Sequence, residues 1–357
     1  MKKALPVLCL LTLLAIPLSS AHAGEYLMRQ IGVRSEDWGS CALDINNAGQ
    51  VLCEDLNSST IEAFLWSKTA GRIVLAGPGG LDEPGGINNV GQIVGSRYIS
   101  WPGVAVLRNP DGQVNIIDAL VGTMSSHAWA INDVGQVVGV SDVQVIMVDL
   151  NANTAIVLGS RSLPGAITGL NINNAGQVAW SSCTYYQWPD QWYTIERVFR
   201  WDAVNGSIEL PLLPGAGRCG VRDINDAGDI VGYSGDHAVL WKADGSVVDL
   251  GIGGACGINS LGQIVGDLGN HAVLWNPDGG VVDLGMPPGA GSTYARAIND
   301  LGQIVGEYYS DSFVGPRAIL WEPVPEPHSY LALAGLSALM AGSAVRGRRR
   351  LTKRSLH

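Results

Sequence analysis

Residues Trp180 to Glu196 read WSSCTYYQWPDQWYTIE and hold six aromatic side chains, against 24 in the whole chain. Trp and Tyr present flat apolar faces with polar edges, the chemistry of stacking on sugar rings or anchoring a protein partner. Tyr185, Tyr186, Trp188, Trp192 and Tyr193 are therefore the candidate ligand-binding residues. The competing reading is that these rings pack on one another to order a long loop.

Catalytic chemistry has little to work with. Between the two ends lie three histidines, His127, His237 and His271, and the last two share one position of a repeated HAVLW phrase. That repetition predicts a structural role, a ring-to-backbone hydrogen bond. No GxSxG, HExxH or P-loop occurs. The expectation is no catalytic residue and no enzyme. Asp223, Asn225 and Asp229 place oxygens around a Gly as a calcium loop does, yet residue 227 is Ala and no Glu closes the loop. A hydrogen-bonded hairpin turn is the alternative there, and no other metal or cofactor is expected. Cys9 lies in the first segment, which leaves Cys41, Cys53, Cys183, Cys219 and Cys256, none with zinc-type CxxC spacing. Cys41 and Cys53 lie nearly symmetrically about a turn, and Cys183 and Cys219 fall at one face of successive repeats. These are the two disulfide candidates, with Cys256 left over.

The elements that must position these residues follow from a repeat. The phrase Ile-Asn-x-x-Gly, usually continuing Gln-Ile-Val-Gly, occurs seven times, at Asn46, Asn88, Asn132, Asn173, Asn225, Asn259 and Asn299. The separations are 42, 44, 41, 52, 34 and 40 residues, the period of a four-stranded propeller blade. The clearest unit divides into strands His237 to Trp241, Val247 to Leu250, Ala255 to Ile258 and Gln263 to Gly266. A Gly-rich loop is expected before Ala255. Asn and Gly enter left-handed backbone conformations cheaply, which would explain their place in the turn. The last repeat lacks its outermost strand, while an unpaired strand, Tyr26 to Ile31, precedes the first. Supplying it from the start of the chain would close a seven-bladed β-propeller and hide two sheet edges. A linear β-solenoid is the alternative. The longest interval carries the aromatic insertion, expected as a loop between the second and third strands of its blade.

The HAVLW, VVDLG and INDxGQIVG phrases resemble the HAF, or "probable extracellular repeat", family over nearly the whole body. The second and third repeats depart from it, because Val104 to Asn109 and Val145 to Asn151 lack the Trp. That family implies a fold and an exported location but no activity.

The two ends set the compartment. Lys2 and Lys3, an apolar run from Ala4 to Leu18 and the Ala21-His22-Ala23 site read as a secretory signal over residues 1–23, with Gly24 as the mature start. Residues 24–323 are the propeller. From 324 to 357 come Pro325-Glu326-Pro327, an apolar run from Tyr330 to Val345 and six basic residues. Sixteen helical residues span about 24 Å, so this reads as a short membrane helix with its basic end cytoplasmic. The three-part order resembles the PEP-CTERM sorting signal of Gram-negative bacteria. That resemblance implies passage through the Sec translocon, a transient inner-membrane anchor, and recognition of Pro325, Glu326 and Pro327 by exosortase.

Between the ends the formal charge is near −17. Such a surface repels phosphates and anionic lipid, so nucleic acid is excluded as a partner and the membrane is met only through the tail. The reading is an exported module of the cell surface or extracellular matrix that binds polysaccharide or a surface protein. A secreted polysaccharide-acting enzyme, with its site in the propeller channel, is the alternative.

Overall fold

Short runs of Val, Ile and Leu alternate with Gly, Asn and Asp along the chain, so extended segments are punctuated by turns that small residues close. The computed structural model describes residues 26–32, 39–56, 61–75, 80–98, 103–118, 125–160, 165–187, 192–310 and 315–324. Among them the runs form 27 strands, and no helix is long and apolar enough to cross a membrane. The segment read as a secretory signal, Trp188 and the Pro325-Glu326-Pro327 tail lie outside the described residues.

The strands run in order as antiparallel meanders. After β1 (Tyr26–Gln30), the first unit is β2 (Gly39–Ile45), β3 (Val51–Leu56), β4 (Ile61–Ser67) and β5 (Gly71–Val74). The second is β6 (Glu83–Ile87), β7 (Ile93–Arg97), β8 (Val104–Arg108) and β9 (Val114–Ile116). The third is β10 (Ser126–Ile131), β11 (Gln136–Ser141), β12 (Gln144–Asp149) and β13 (Thr154–Ser160). Next come β14 (Gly165–Ile172), β15 (Val178–Gln187), β16 (Trp192–Asp202) and β17 (Gly206–Glu209). A seven-stranded sheet follows: β18 (Cys219–Ile224), β19 (Ile230–Ser234), β20 (His237–Trp241), β21 (Val247–Ile258), β22 (Ile264–Leu268), β23 (His271–Trp275) and β24 (Val281–Asp283). The last sheet is β25 (Ala290–Ile298), β26 (Ile304–Ser310), β27 (Arg317–Pro323) and then β1, paired antiparallel to β27 from Tyr26↔Pro323 to Gln30↔Ile319.

One expectation fails inside the long sheet. The Gly-rich segment before Ala255 is no loop, because β21 runs unbroken from one meander into the next. The shortest interval, 34 residues, leaves no chain for a detour, and Gly251 and Gly253 adopt positive φ within the strand.

Seven apolar clusters sit between successive meanders rather than within them. The one formed by Ile31, Ala42, Val51, Phe64, Val305, Ala318 and Leu320 joins the last sheet to the first. Trp241, Trp275 and Trp321 tie neighbouring meanders by donating their indole N–H to the carbonyls of Pro211, Leu250 and Leu284. This inter-unit tie is the physical content of the repeated HAVLW phrase.

The repeated Asn has a different role from the one its turn suggests. All seven Asn avoid positive φ; within the phrase only the Gly takes it. Each Asn instead donates Nδ2–H to the backbone carbonyl of the next phrase's Asn, at 2.8–3.3 Å. The seventh, Asn299, donates to Asn46, so the bonds form a cycle. Most also donate to the Gln four residues on, whose own N–H returns to the Asn Oδ1, as between Asn132 and Gln136. Every polar atom of a buried side chain is thereby used, which only Asn allows here.

Candidate functional site

The turns bearing the Asn cycle define one face, the turn face; the second-to-third strand hairpins define the far face. On the far face the interval of 52 residues is spent on β-structure. β15 and β16 pair rung for rung from Val178↔Trp201 to Gln187↔Trp192, so the expected loop is a hairpin carrying its strands well past those of the other meanders. Tyr185 pairs with Thr194 and Tyr186 with Tyr193, and Tyr185 is 43% exposed. Trp180, counted among the insertion's rings, is buried and stacked on Phe199 at 5.2 Å. The hairpin is thus anchored by Trp180, with Tyr185, Tyr186, Trp192 and Tyr193 on its outer rungs.

The other exposed tyrosines, Tyr98 and Tyr309, end β7 and β26 on this same face. Tyr98 donates to Glu83, and Tyr309 meets Tyr294 edge to face at 5.8 Å. Sequence reasoning missed both, since each stands alone in its repeat and their shared face follows only from the strand directions.

A cavity of about 360 Å³ opens along the axis, lined by the first strands of all the meanders. Each first strand carries a register shift. An extra residue at such a bulge is aimed off the pleat, and here Leu43, Trp129, Arg222, Cys256 and Arg296 fall there and line the cavity. Arg296 donates through Nε to both oxygens of the fully buried Glu307, at 2.8 and 3.1 Å. Arg218 and Arg222 flank the Tyr233 ring at 5.8 and 5.7 Å. Burial, reinforced by Glu83, pushes the Glu54 carboxyl up to about 6.

His127 lies beside Trp129, edge-on at 5.6 Å. Its Nδ1 meets the Ser96 hydroxyl, with Glu83 at 3.7 Å from that same nitrogen. A serine relay needs base and carboxylate on opposite ring nitrogens and a reachable hydroxyl. Ser96 is 1% exposed, so this trio is no such relay. His237 and His271 do not bond to backbone: each uses Nδ1 toward a carboxylate on the next strand, Asp249 at 2.8 Å and Asp283 at 2.9 Å. The repeat position fixes the pair, not the ring alone.

The calcium candidates are committed to protein donors. Asp223 accepts from Ile224, Ile258 and the Asn171 amide, Asn225 Oδ1 from Ala227 and Asp229, and Asp229 from Ala243. Among the described residues no group of three or more His, Cys, Asp or Glu could hold a metal ion.

The Asp223 bonds tie its own meander to both neighbours, and Asp44, accepting from Ile45 and Ile87, makes the bridge to the next one. Burial pushes the Asp223 carboxyl up to about 7, against the pull of those N–H groups. A carboxyl raised on folding contributes fully below the unfolded value near 4, and the contribution fades as pH rises through 7. Asparagine keeps an Oδ1 for the Ile224 N–H and the Asn171 amide and gives up the bond from Ile258, a loss that does not vary with pH. Asp223→Asn is therefore expected to gain stability relative to the parent between pH 4 and 7, read from urea midpoints. An unchanged difference across that window would contradict the assignment.

All five described cysteines are free. Cys41 pairs with Glu54 and Cys53 with Ala42, adjacent rungs whose side chains point to opposite faces, so the first disulfide candidate does not face across its hairpin. Cys183 and Cys219 do approach, about Glu196: Cys183 pairs with it, and Cys219 donates its N–H to it at 2.7 Å. Burial, then Glu196, pushes the Cys219 thiol up to about 12.

Residues 323–350 match the family model described as the PEP-CTERM protein-sorting motif. The chain ends in a sorting signal. It implies exosortase-dependent export and sorting to the cell envelope. No curated protein matches the chain. Among solved structures it is similar to selenomethionine-substituted virginiamycin B lyase from Staphylococcus aureus, at 9% identity, covering 84% of this chain and 100% of that one with a TM-score of 0.56. A catalytically inactive variant of that lyase with quinupristin gives 10% identity, the same coverages and 0.54. A streptogramin B lyase gives 9%, 84% and 98%, and 0.54. At such identities the likeness shows a propeller-like all-β fold alone.

Proposed function

We propose that the chain is a closed seven-bladed propeller of HAF-type repeats, exported and sorted by exosortase, that binds polysaccharide at the cell surface or in the extracellular matrix. The ring is supported by the β1–β27 pairing, the core joining last sheet to first and the cycle of Asn bonds. The observation that carries the binding role is the β15–β16 hairpin, whose outermost described rung is Gln187↔Trp192 and whose tyrosines share the far face with Tyr98 and Tyr309. Aromatic side chains at an outward rim, backed by a rigid anchor, suit the stacking of sugar rings at low entropic cost.

A glycan array probed with the secreted protein tests this. Trp188→Ala, Trp192→Ala and Tyr185→Ala are each expected to weaken binding about tenfold, the loss of one central aromatic contact. Retained affinity in all three would place the site elsewhere, and silence on every glycan would favour a surface protein as partner. The cavity favours a second reading, a secreted enzyme acting in the channel. Turnover of a bound polymer would establish it.

A further inference from the structure

The turn face has a chemistry of its own. Two residues after the Asn, the turn tip carries Val or Leu in four of the seven phrases and Ala in the other three. Val90 and Val134 are 56% and 51% exposed, and Leu261 and Leu301 are each 63% exposed. Val204, on the β16–β17 turn of this face, is 91% exposed. The far face exposes Tyr98, Tyr185 and Tyr309 with two scattered isoleucines, Ile195 and Ile252, on strands rather than on its repeated turns. Apolar tips repeated around one face of an exported protein are not required by its core, and such clusters mark contact with an apolar partner.

The chain ends identify that partner. Tyr26 pairs with Pro323, and a Cβ on Gly302, beside Leu301, would lie 3.2 Å from the Pro323 ring and 3.8 Å from the Tyr26 hydroxyl. Both ends of the body therefore leave from the turn face. The sorting motif begins at residue 323, and only residues 324–329 separate β27 from the apolar run Tyr330 to Val345. Six fully extended residues reach about 20 Å.

We infer that the turn face lies against the lipid surface while the tail is in place, with Val90, Val134, Val204, Leu261 and Leu301 entering the interface and the far face turned outward. This rests on reading the tail as a membrane span. Contact is shallow, since five separate side chains enter rather than a continuous face. Asp133, Asp226 and Asp300, on the same turns, oppose anionic headgroups. The contact is accordingly stronger on zwitterionic lipid than on anionic lipid, and salt relieves the difference.

The test uses the full chain with a benzoylphenylalanine photocrosslinker at Leu261, at Leu301, or at Ile252, a 68% exposed far-face residue paired with His237. Each protein is reconstituted into phosphatidylcholine vesicles, with or without phosphatidylglycerol, and the floated fraction is irradiated. Lipid adducts at 261 and 301 are expected at about fivefold the yield at 252, falling with phosphatidylglycerol and recovering with salt. Equal yields at all three positions, or none from a chain that floats, would overturn the orientation while leaving the span intact. A chain that does not float would remove the span itself, and the orientation with it.

Discussion

Asn132→Leu is expected to destabilise the protein by about 2–4 kcal/mol although it lies in a turn and adds apolar volume. Asn132 is 4% exposed, donates to the Asn173 carbonyl at 2.9 Å and to the Gln136 side chain at 2.8 Å, and accepts the Gln136 N–H at 2.8 Å. Leucine keeps the shape and leaves the Gln136 N–H without its acceptor, at about 1–3 kcal/mol, while the Asn173 carbonyl keeps the Gly176 N–H and loses one bond worth about 1 kcal/mol. Asn132→Asp separates the two roles. It keeps an acceptor for Gln136 and loses the donor to Asn173, so it should fail as badly as leucine, because a buried carboxylate then faces a carbonyl. Denaturant midpoints check both, and either variant within 0.5 kcal/mol of the parent, as ordinary surface changes are, would show that the cycle is incidental.

How much of this was legible depends on how local each signal is. HAVLW read as a strand and proved to be β20 and β23, since a short apolar run bounded by turn residues leaves little choice. The turn glycines were legible for the same reason. The bond from Asn to the next repeat was not, because its partner lies 34 to 52 residues ahead, or 253 behind for Asn299, and no local pattern marks it. The 52-residue interval, the longest of the six, made the insertion look like a loop. Two flanking runs long enough to pair rung for rung made it a hairpin instead. The cavity-lining arginines were invisible because a bulge breaks the period of two from which facing is inferred. Cys41 and Cys53 looked symmetrical about their turn, yet the register that starts at Ile45↔Val51 leaves them one rung apart even after the extra residue at Leu43.

The second large effect concerns closure. β1 supplies five rungs to β27, Ile31 adds a backbone bond to Ala318 at 3.0 Å and a side chain only 2% exposed, and Gln30 accepts from the Tyr308 hydroxyl at 3.1 Å. Losing Ile31 alone should cost about 2–5 kcal/mol, and the unpaired β27 edge adds to that. At about 2 °C per kcal/mol for a domain of this length, a total loss of about 5 kcal/mol or more lowers the transition by about 10 °C or more. A strand that completes a sheet can also be supplied from outside.

The most direct test of the closed ring is therefore thermal unfolding of the mature protein lacking Tyr26 to Ile31, with and without a synthetic peptide of that sequence. Melting at least ten degrees early, restored toward the parent by the peptide but not by a scrambled one, is the predicted result. A truncated chain that melts with the intact protein would contradict the ring.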